Sequence, residues 1–342
     1  MEFLYEYGLF FAKTATFVLA AVIILGLIAG SAMKGKATRK GELHIENLTE
    51  EKEQEHEDIQ RLLLDKDELK AYEKQLKKDK KQNKHKTDDT DKKSRMFILD
   101  FNGGVDANEV ETFREEVSTV ITIAEKGDEV LLNLESPGGV VHGYGLAASQ
   151  IDRLKQAGIK TTASVDKVAA SGGYMMACVA DKIIAAPFAI IGSIGVVAQL
   201  PNINRLLKRF DVDIEQHTAG NFKRTLTVLG ENTDEGREKF KQELAETNVL
   251  FKGFVSQHRP NVDIDAVATG EHWYATQAME KNLVDEIQTS DDFVLQSLNK
   301  FQVFKVEYKI KQNMAEKLGL VAADGLSKVL GKMSTWSLTN SK

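Results

Sequence analysis

The sequence predicts an α/β domain held behind an N-terminal membrane helix and a charged helical spacer. Three observations predict it. Thr14 to Met33 is a run of twenty uncharged residues. Lys34 to Arg95 is dense in charge, with 18 basic and 16 acidic residues among 62. From Met96 onward, apolar strand-like runs alternate with helix-length segments, the pattern of an α/β fold.

Twenty helical residues at 1.5 Å rise span roughly 30 Å, the thickness of a bilayer's hydrocarbon core. A cleaved signal peptide has a shorter apolar core and a basic start, whereas Glu2 and Glu6 precede this run. Residues 1–40 therefore read as an uncleaved, single-pass anchor in the cell inner (plasma) membrane, with the lipid bilayer as partner. Lys34, Lys36, Arg39 and Lys40 follow the run, against Lys13 alone before it. The positive-inside rule then sends the rest of the chain to the cytoplasm.

Residues 41–95 form the spacer. Glu42 to Asp58 holds eight acids and one base, and Lys74 to Lys86 holds seven bases and one acid. Leu62, Leu63, Leu69 and Leu76 make a thin apolar stripe that predicts a solvated helix from about 48 to 80. Such a segment serves as a plain spacer, as a coiled coil or as a contact for anionic lipid.

Residues 96–300 form the main domain. Met96–Phe101, Glu129–Leu134, Ile159–Val165, Lys182–Ala186 and Ser193–Ala198 predict strands. Gly143–Ala157, Ser171–Ala180 and Asp234–His258 predict helices. The apolar run 183–200 is long enough to suggest a second membrane span. Pro187, Gly192 and Gly195 interrupt it, so it reads as buried strands. Residues 301–342 read as a tail with a strand-like piece, FQVFKVEYKI, and a helical piece over 312–333.

Composition excludes several classes. The 342 residues carry 45 Lys and Arg against 51 Asp and Glu, a net charge of −6, which argues against a nucleic-acid partner. One cysteine, Cys178, excludes an intrachain disulfide framework and multi-cysteine metal sites, and it reads as a small core residue. No metal-ligand cluster and no GxxxxGK[ST] loop is present, so no metal, cofactor or ATP is expected.

Three local motifs carry possible chemistry. In Glu135–Val140, ESPGGV, Pro137 fixes one dihedral and Gly138 and Gly139 permit positive φ. This is either a plain tight turn or a loop that offers N–H groups to an oxyanion. In Val168–Ala177, VAASGGYMMA, Ser171 opens a helix-like stretch, as an N-cap or as a nucleophile beside the Gly172 N–H. A nucleophilic serine needs a base. His142 lies near the SPGG turn with no acid paired to it, and Lys223 in TAGNFKRT is an ordinary lysine unless burial lowers its pKa.

Taken in order, ESPGG, AASGGYMMA, GSIGV at Gly192–Val196 and TAGNFKR resemble the signal peptide peptidase A family of membrane serine proteases. The spacing of 52 residues from Ser171 to Lys223 matches it as well. The N-terminal helix and long charged spacer resemble the SohB branch in particular. The resemblance covers Met96 to about Lys300.

It implies a crotonase-like or Clp-like α/β superhelix whose protomers form a ring- or dome-shaped homo-oligomer. It implies Ser171 as nucleophile, Lys223 as general base and Ser193 as the residue that orients the lysine. The oxyanion hole would be formed by N–H groups of Gly138, Gly139 and Gly172. Related Clp-type proteases place a histidine shortly after the nucleophile, and GSIGVV holds none, which favours the lysine. TGEHWYATQAMEKNLVDEI resembles the family's closing pattern with Gly270, Trp273, Ala278 and Asp285, except that Asn282 stands where the family usually has glycine. Asparagine tolerates a left-handed helix cap.

The implied activity is endopeptidase hydrolysis through an acyl-enzyme, on peptides such as membrane-derived fragments or signal-peptide remnants. The alternatives are a non-catalytic membrane scaffold of the same fold and an acyl-CoA enzyme on a crotonase-type fold.

Overall fold

The computed structural model describes residues 7–11, 13–14, 16–17, 41–85 and 93–310. It divides into two units, Leu43–Tyr308 and a second one made of Met1–Glu42 with Lys309–Lys342. Most of the expected membrane helix, and all of the helical piece at 312–333, lie outside the described residues. Among the described residues, no helix is long and apolar enough to cross a membrane.

The described elements begin with strand β1 (Gly41–Asn47) and helices α1 (Leu48–Leu63) and α2 (Lys66–His85). The predicted spacer helix is thus two helices with a break at Leu64–Asp65. Asn47 caps α1 by accepting from the Glu50 N–H at 3.3 Å. There follow β2 (Arg95–Asn102), α3 (Val110–Ile123), β3 (Glu129–Glu135), α4 (Val141–Gln156), β4 (Lys160–Val165), β5 (Val168–Ala170) and α5 (Gly172–Ala177). Then come β6 (Lys182–Ala185), β7 (Ile190–Gly192), α6 (Asn204–Arg209), α7 (Asp234–His258) and α8 (Ile264–Val267). Last come β8 (His272–Tyr274), α9 (Ala275–Glu280), β9 (Glu286–Ile287), α10 (Ser290–Ser297) and β10 (Gln302–Ile310).

Seven strands form the main sheet in the order β1-β10-β2-β3-β4-β6-β9. The pairings from β10 through β9 are parallel. Parallel central strands are covered on both faces, which is why MFILDF is apolar throughout. Phe97, Leu99 and Phe101 face the larger core with Val117 of α3 and Ile151 of α4, whereas Met96, Ile98 and Leu131 face a smaller cluster with Phe293 and Leu298. Run 183–200 supplies β6 to this sheet and β7 to a second one, ordered β5-β7-β8.

Three expectations need correction. Ser193–Ala198 is not a strand; β7 ends at Gly192, and Ser193 turns away with φ 52°. The boundary drawn at 300/301 cuts into one sheet, because Gln302 of β10 pairs with Arg95 of β2. The start of the spacer is likewise part of the sheet: β1 lies at its edge, and Thr49 Oγ1 accepts from the Val303 N–H at 2.8 Å. Asn282 does adopt the left-handed conformation, with φ 60°.

Glu116 on α3 is the charged side chain the core treats least kindly. It is buried, Oε1 accepts from the Tyr308 N–H at 2.8 Å, and Oε2 has no partner. Burial first, and then the carboxylates of Asp100 and Glu307, push its pKa up to about 7 against the opposing pull of the Tyr308 N–H and Lys305. The unfolded chain releases this proton near 4.5, so the folded state binds more protons between the two values. Glu116 therefore favours folding at low pH, and its contribution is lost as pH rises through that window. Relative to Glu116→Gln, wild-type stability should fall by up to about 3 kcal/mol between pH 4.5 and 7 and then level off. Denaturant melts of both proteins across pH measure this, and a pH-independent difference would contradict it.

Candidate active site

The second sheet and the end of β3 build the site from backbone pairings. β5 pairs with β7 so that Ala170 lies opposite Gly192. The next residue in each strand, Ser171 and Ser193, therefore leaves the sheet beside the other. The Ser171 N–H donates to Gly192 O at 2.8 Å, and the Ser193 N–H donates to Glu271 O at 2.6 Å. On the other side of β5, Ser136 bridges to Ala169 and exchanges backbone bonds with Val168 and Ala170. The SPGG turn thus lands against the start of α5, at the carboxyl end of a parallel strand, where open α/β sheets bind ligands.

That approach is close enough to require glycine. A Cβ on Gly138, whose φ is 88°, would sit 2.7 Å from Ala170 O, Gly172 N and Ser171 Cβ. Ser171 itself holds φ 51° and ψ −117°, a conformation that L side chains rarely adopt. It is the last residue before α5, and its carbonyl accepts from the Met175 N–H at 2.9 Å. The hydroxyl does not cap the helix. The N-cap reading of Ser171 therefore fails as a side-chain role.

Ser171, Gly138, Gly139, Gly172 and Ser193 all line one open cleft of about 980 Å³. The Gly138 N–H is already spent on Ser136 Oγ at 3.0 Å. Among the described residues, the N–H groups of Gly139 and Gly172 have no backbone partner. The walls are mostly apolar, with Val105, Val141 and Met175 on one side and Leu244 and Phe251 of α7 on the other. α7 starts where Thr233 accepts from the Gly236 N–H at 3.1 Å. Its residues at 244, 247, 248 and 251 recur at helical spacing and face the cleft.

No Lys, Arg, His, Asp or Glu is among the residues lining this cleft. His142 is exposed on α4 and outside it. Lys223 is exposed too, in a long irregular arm between β7 and α7 whose one described helix is α6. Asn202 and Asn204 pin the base of this arm through bonds to Thr227 O, Gly230 O and Leu229 O. Phe210 is 72% exposed on the arm and Val197 is 91% exposed. One chain thus brings together every predicted site residue except the base. Cys178 is fully buried, and burial pushes its thiol up to about 12, which leaves it an inert core residue.

Sequence reasoning missed Ser136, Tyr144 and Asn248. Ser136 and Tyr144 are buried beneath the SPGG turn, and Asn248 lines the cleft with Oδ1 buried and unpaired. The helical spacing of 244, 248 and 251 was legible; which face of α7 met the cleft was not.

The family model for the N-terminal part of peptidase family S49 matches residues 2–151, and the peptidase family S49 model itself matches residues 153–303. The chain belongs to peptidase family S49. It is 50% identical to a probable protease SohB of Haemophilus influenzae over 98% of this chain and 97% of that one. It is also 50% identical to a probable protease SohB of Buchnera aphidicola subsp. Schlechtendalia chinensis, over 86% of this chain and 99% of that one. Among solved structures, a mutant of the 1510-N membrane-bound stomatin-specific protease aligns over 60% of this chain and 84% of that one, with 13% identity and a TM-score of 0.41. As an S49 member with relatives named as proteases, the chain is a protease.

The strained backbone at Ser171 has a measurable consequence. Ser171→Gly relieves the positive φ, which costs an L residue about 1–3 kcal/mol, against a smaller entropic cost of glycine. The glycine variant should melt about 2–4 °C above Ser171→Ala. Equal melting temperatures would mean that the turn carries no strain.

Proposed function

We propose that this S49 protease is a membrane-anchored serine endopeptidase that works through a Ser-Lys dyad. The observation that carries this reading is the Ser171 elbow, held at positive φ between two glycine-lined turns at the edge of a cleft. Ser171 Oγ attacks the scissile carbonyl. Lys223 takes its proton and later returns it to the leaving amine. The N–H groups of Gly139 and Gly172 stabilise the oxyanion, because the Gly138 N–H is engaged by Ser136. Ser193 orients the lysine from its place beside Ser171.

Lys223 lies outside the cleft of its own chain. It reaches Ser171 either by closure of its arm or from a second copy in a homo-oligomer. The exposed apolar residues of the arm support a surface that such rearrangement or assembly covers. The apolar walls of the cleft support peptide substrates with apolar or small side chains, such as membrane-derived peptides or signal-peptide remnants. Thr14–Met33 anchors the chain in the inner membrane, and the basic residues from Lys34 to Lys40 support a cytoplasmic catalytic domain. An active alkaline-phosphatase fusion at the C-terminus would refute that side.

A fluorophosphonate probe should label Ser171. Ser171→Ala and Lys223→Ala should each lower kcat by about 10³-fold or more without changing the melting curve. Retained hydrolysis in both purified variants would end the dyad reading. Co-assembled Ser171→Ala and Lys223→Ala chains should regain activity if the lysine serves a neighbouring copy, and should stay inactive if it serves its own.

A further inference from the structure

Beneath the cleft lies a hydrogen-bond chain with one direction, buried except at its Gly104 end. The Gly138 N–H donates to Ser136 Oγ at 3.0 Å. Ser136 Oγ is hydrogen-bonded to Tyr144 Oη, which in turn donates to Gly104 O at 2.7 Å. A tyrosine has one proton, and it is spent on Gly104, so the serine hydroxyl donates to the tyrosine. Each donor in the chain is used once, and each hydroxyl is satisfied.

Tyr144 is fully buried on α4, with its ring edge-on to Phe101 at 6.2 Å. Its ring also lies against Gly172, where a Cβ would meet Tyr144 Cδ2 at 2.6 Å. One side chain therefore touches Gly172 directly and the SPGG turn through Ser136. Its ring sets how deep the Gly172 step can settle. Its hydroxyl, through Ser136, holds the turn that presents Gly139.

We propose that Tyr144 is a positioning residue that fixes the spacing of the Gly139 and Gly172 amides, with Ser136 as its link to the turn. The proposal rests on the reading of those two amides as the oxyanion hole. Fixed dipoles stabilise a developing negative charge only where they are already aimed at it. A turn released from its anchor presents the Gly139 N–H over a range of directions. That weakens the transition state while leaving the apolar walls that bind the peptide as they were.

Tyr144→Phe keeps the ring and removes only the hydroxyl. The full-length variant is assayed on a trileucyl aminomethylcoumarin amide. We expect kcat to fall about 10- to 100-fold with KM within about two-fold, short of the loss of a whole donor. A trileucine aldehyde, which forms a tetrahedral adduct with the nucleophile, should lose affinity by the same factor as kcat. Binding of the trileucine acid product should stay unchanged. Ser136→Ala should produce a similar loss, and the double variant no more than either single one, because all three break one chain.

Wild-type kcat in Tyr144→Phe, or equal weakening of aldehyde and acid, would overturn the proposal. If Tyr144→Phe does not fold, Ser136→Ala decides by the same two readouts. Failure here is separable from failure of the catalytic reading. Hydrolysis retained in Ser171→Ala removes the oxyanion site altogether, whereas an inactive Ser171→Ala beside a fully active Tyr144→Phe removes only the role of Tyr144.

Discussion

The close approach of two backbone segments governs this protein. The SPGG turn comes so near the Ser171–Gly172 step that a Cβ on Gly138 would meet three atoms at 2.7 Å. Backbone at that distance leaves no room for side chains, so glycine occupies both faces of the contact. The approach is imposed from both sides. Ser136 bridges the turn to β5, and Ala170 opposite Gly192 ties β5 to β7. Shifting either register by one residue would move Ser171 off the cleft, because side-chain direction alternates along a strand.

The rest of the fold holds these short strands still. β5, β7 and β8 have three residues each and could not persist alone. The parallel main sheet, packed on both faces, supplies rigidity, and its β3 ends directly in the SPGG turn. A bidentate pair between Arg259 and Asp285, at 2.8 and 2.7 Å, ties the end of α7 to the approach of β9. Burial alone would raise the Asp285 carboxyl, but Arg259 and the Ile183 N–H outweigh it and hold the group below the usual carboxylate range. This pair contributes where Asp285 is ionised and weakens as pH falls. The Asp285 end of the closing sequence pattern thus braces α7, whose Leu244 and Phe251 line the cleft.

Much of this was legible in the sequence because it is local. Strands β2, β3, β4 and β6 are apolar runs bounded by turn residues, and the 25 residues of α7 carry helical periodicity and an N-cap. The motif residues Gly138, Gly139, Ser171, Gly172 and Ser193 were all visible as glycine and serine patterns, and the fold gathers all five. The misreadings arose where a run of one composition contains a change of partner. Ile190 to Ala198 is apolar on both sides of Gly192, yet the chain leaves the sheet there, because Gly192 and Ser193 both take positive φ. FQVFKVEYKI was recognised as strand-like, but pattern alone does not say that a terminal strand joins the sheet beside β2.

The sequence by itself determined the α/β class, the order of the principal strands and the family, since each rests on residue type and spacing along the chain. Tertiary structure alone decided three things. It set the Gly138 N–H aside, because Ser136 Oγ reaches it from below. It placed Tyr144 against both Gly172 and Ser136, which no spacing along α4 encodes. It left Lys223 on an exposed arm outside the cleft, because 52 residues of chain fix a motif's order but not the point in space to which it returns.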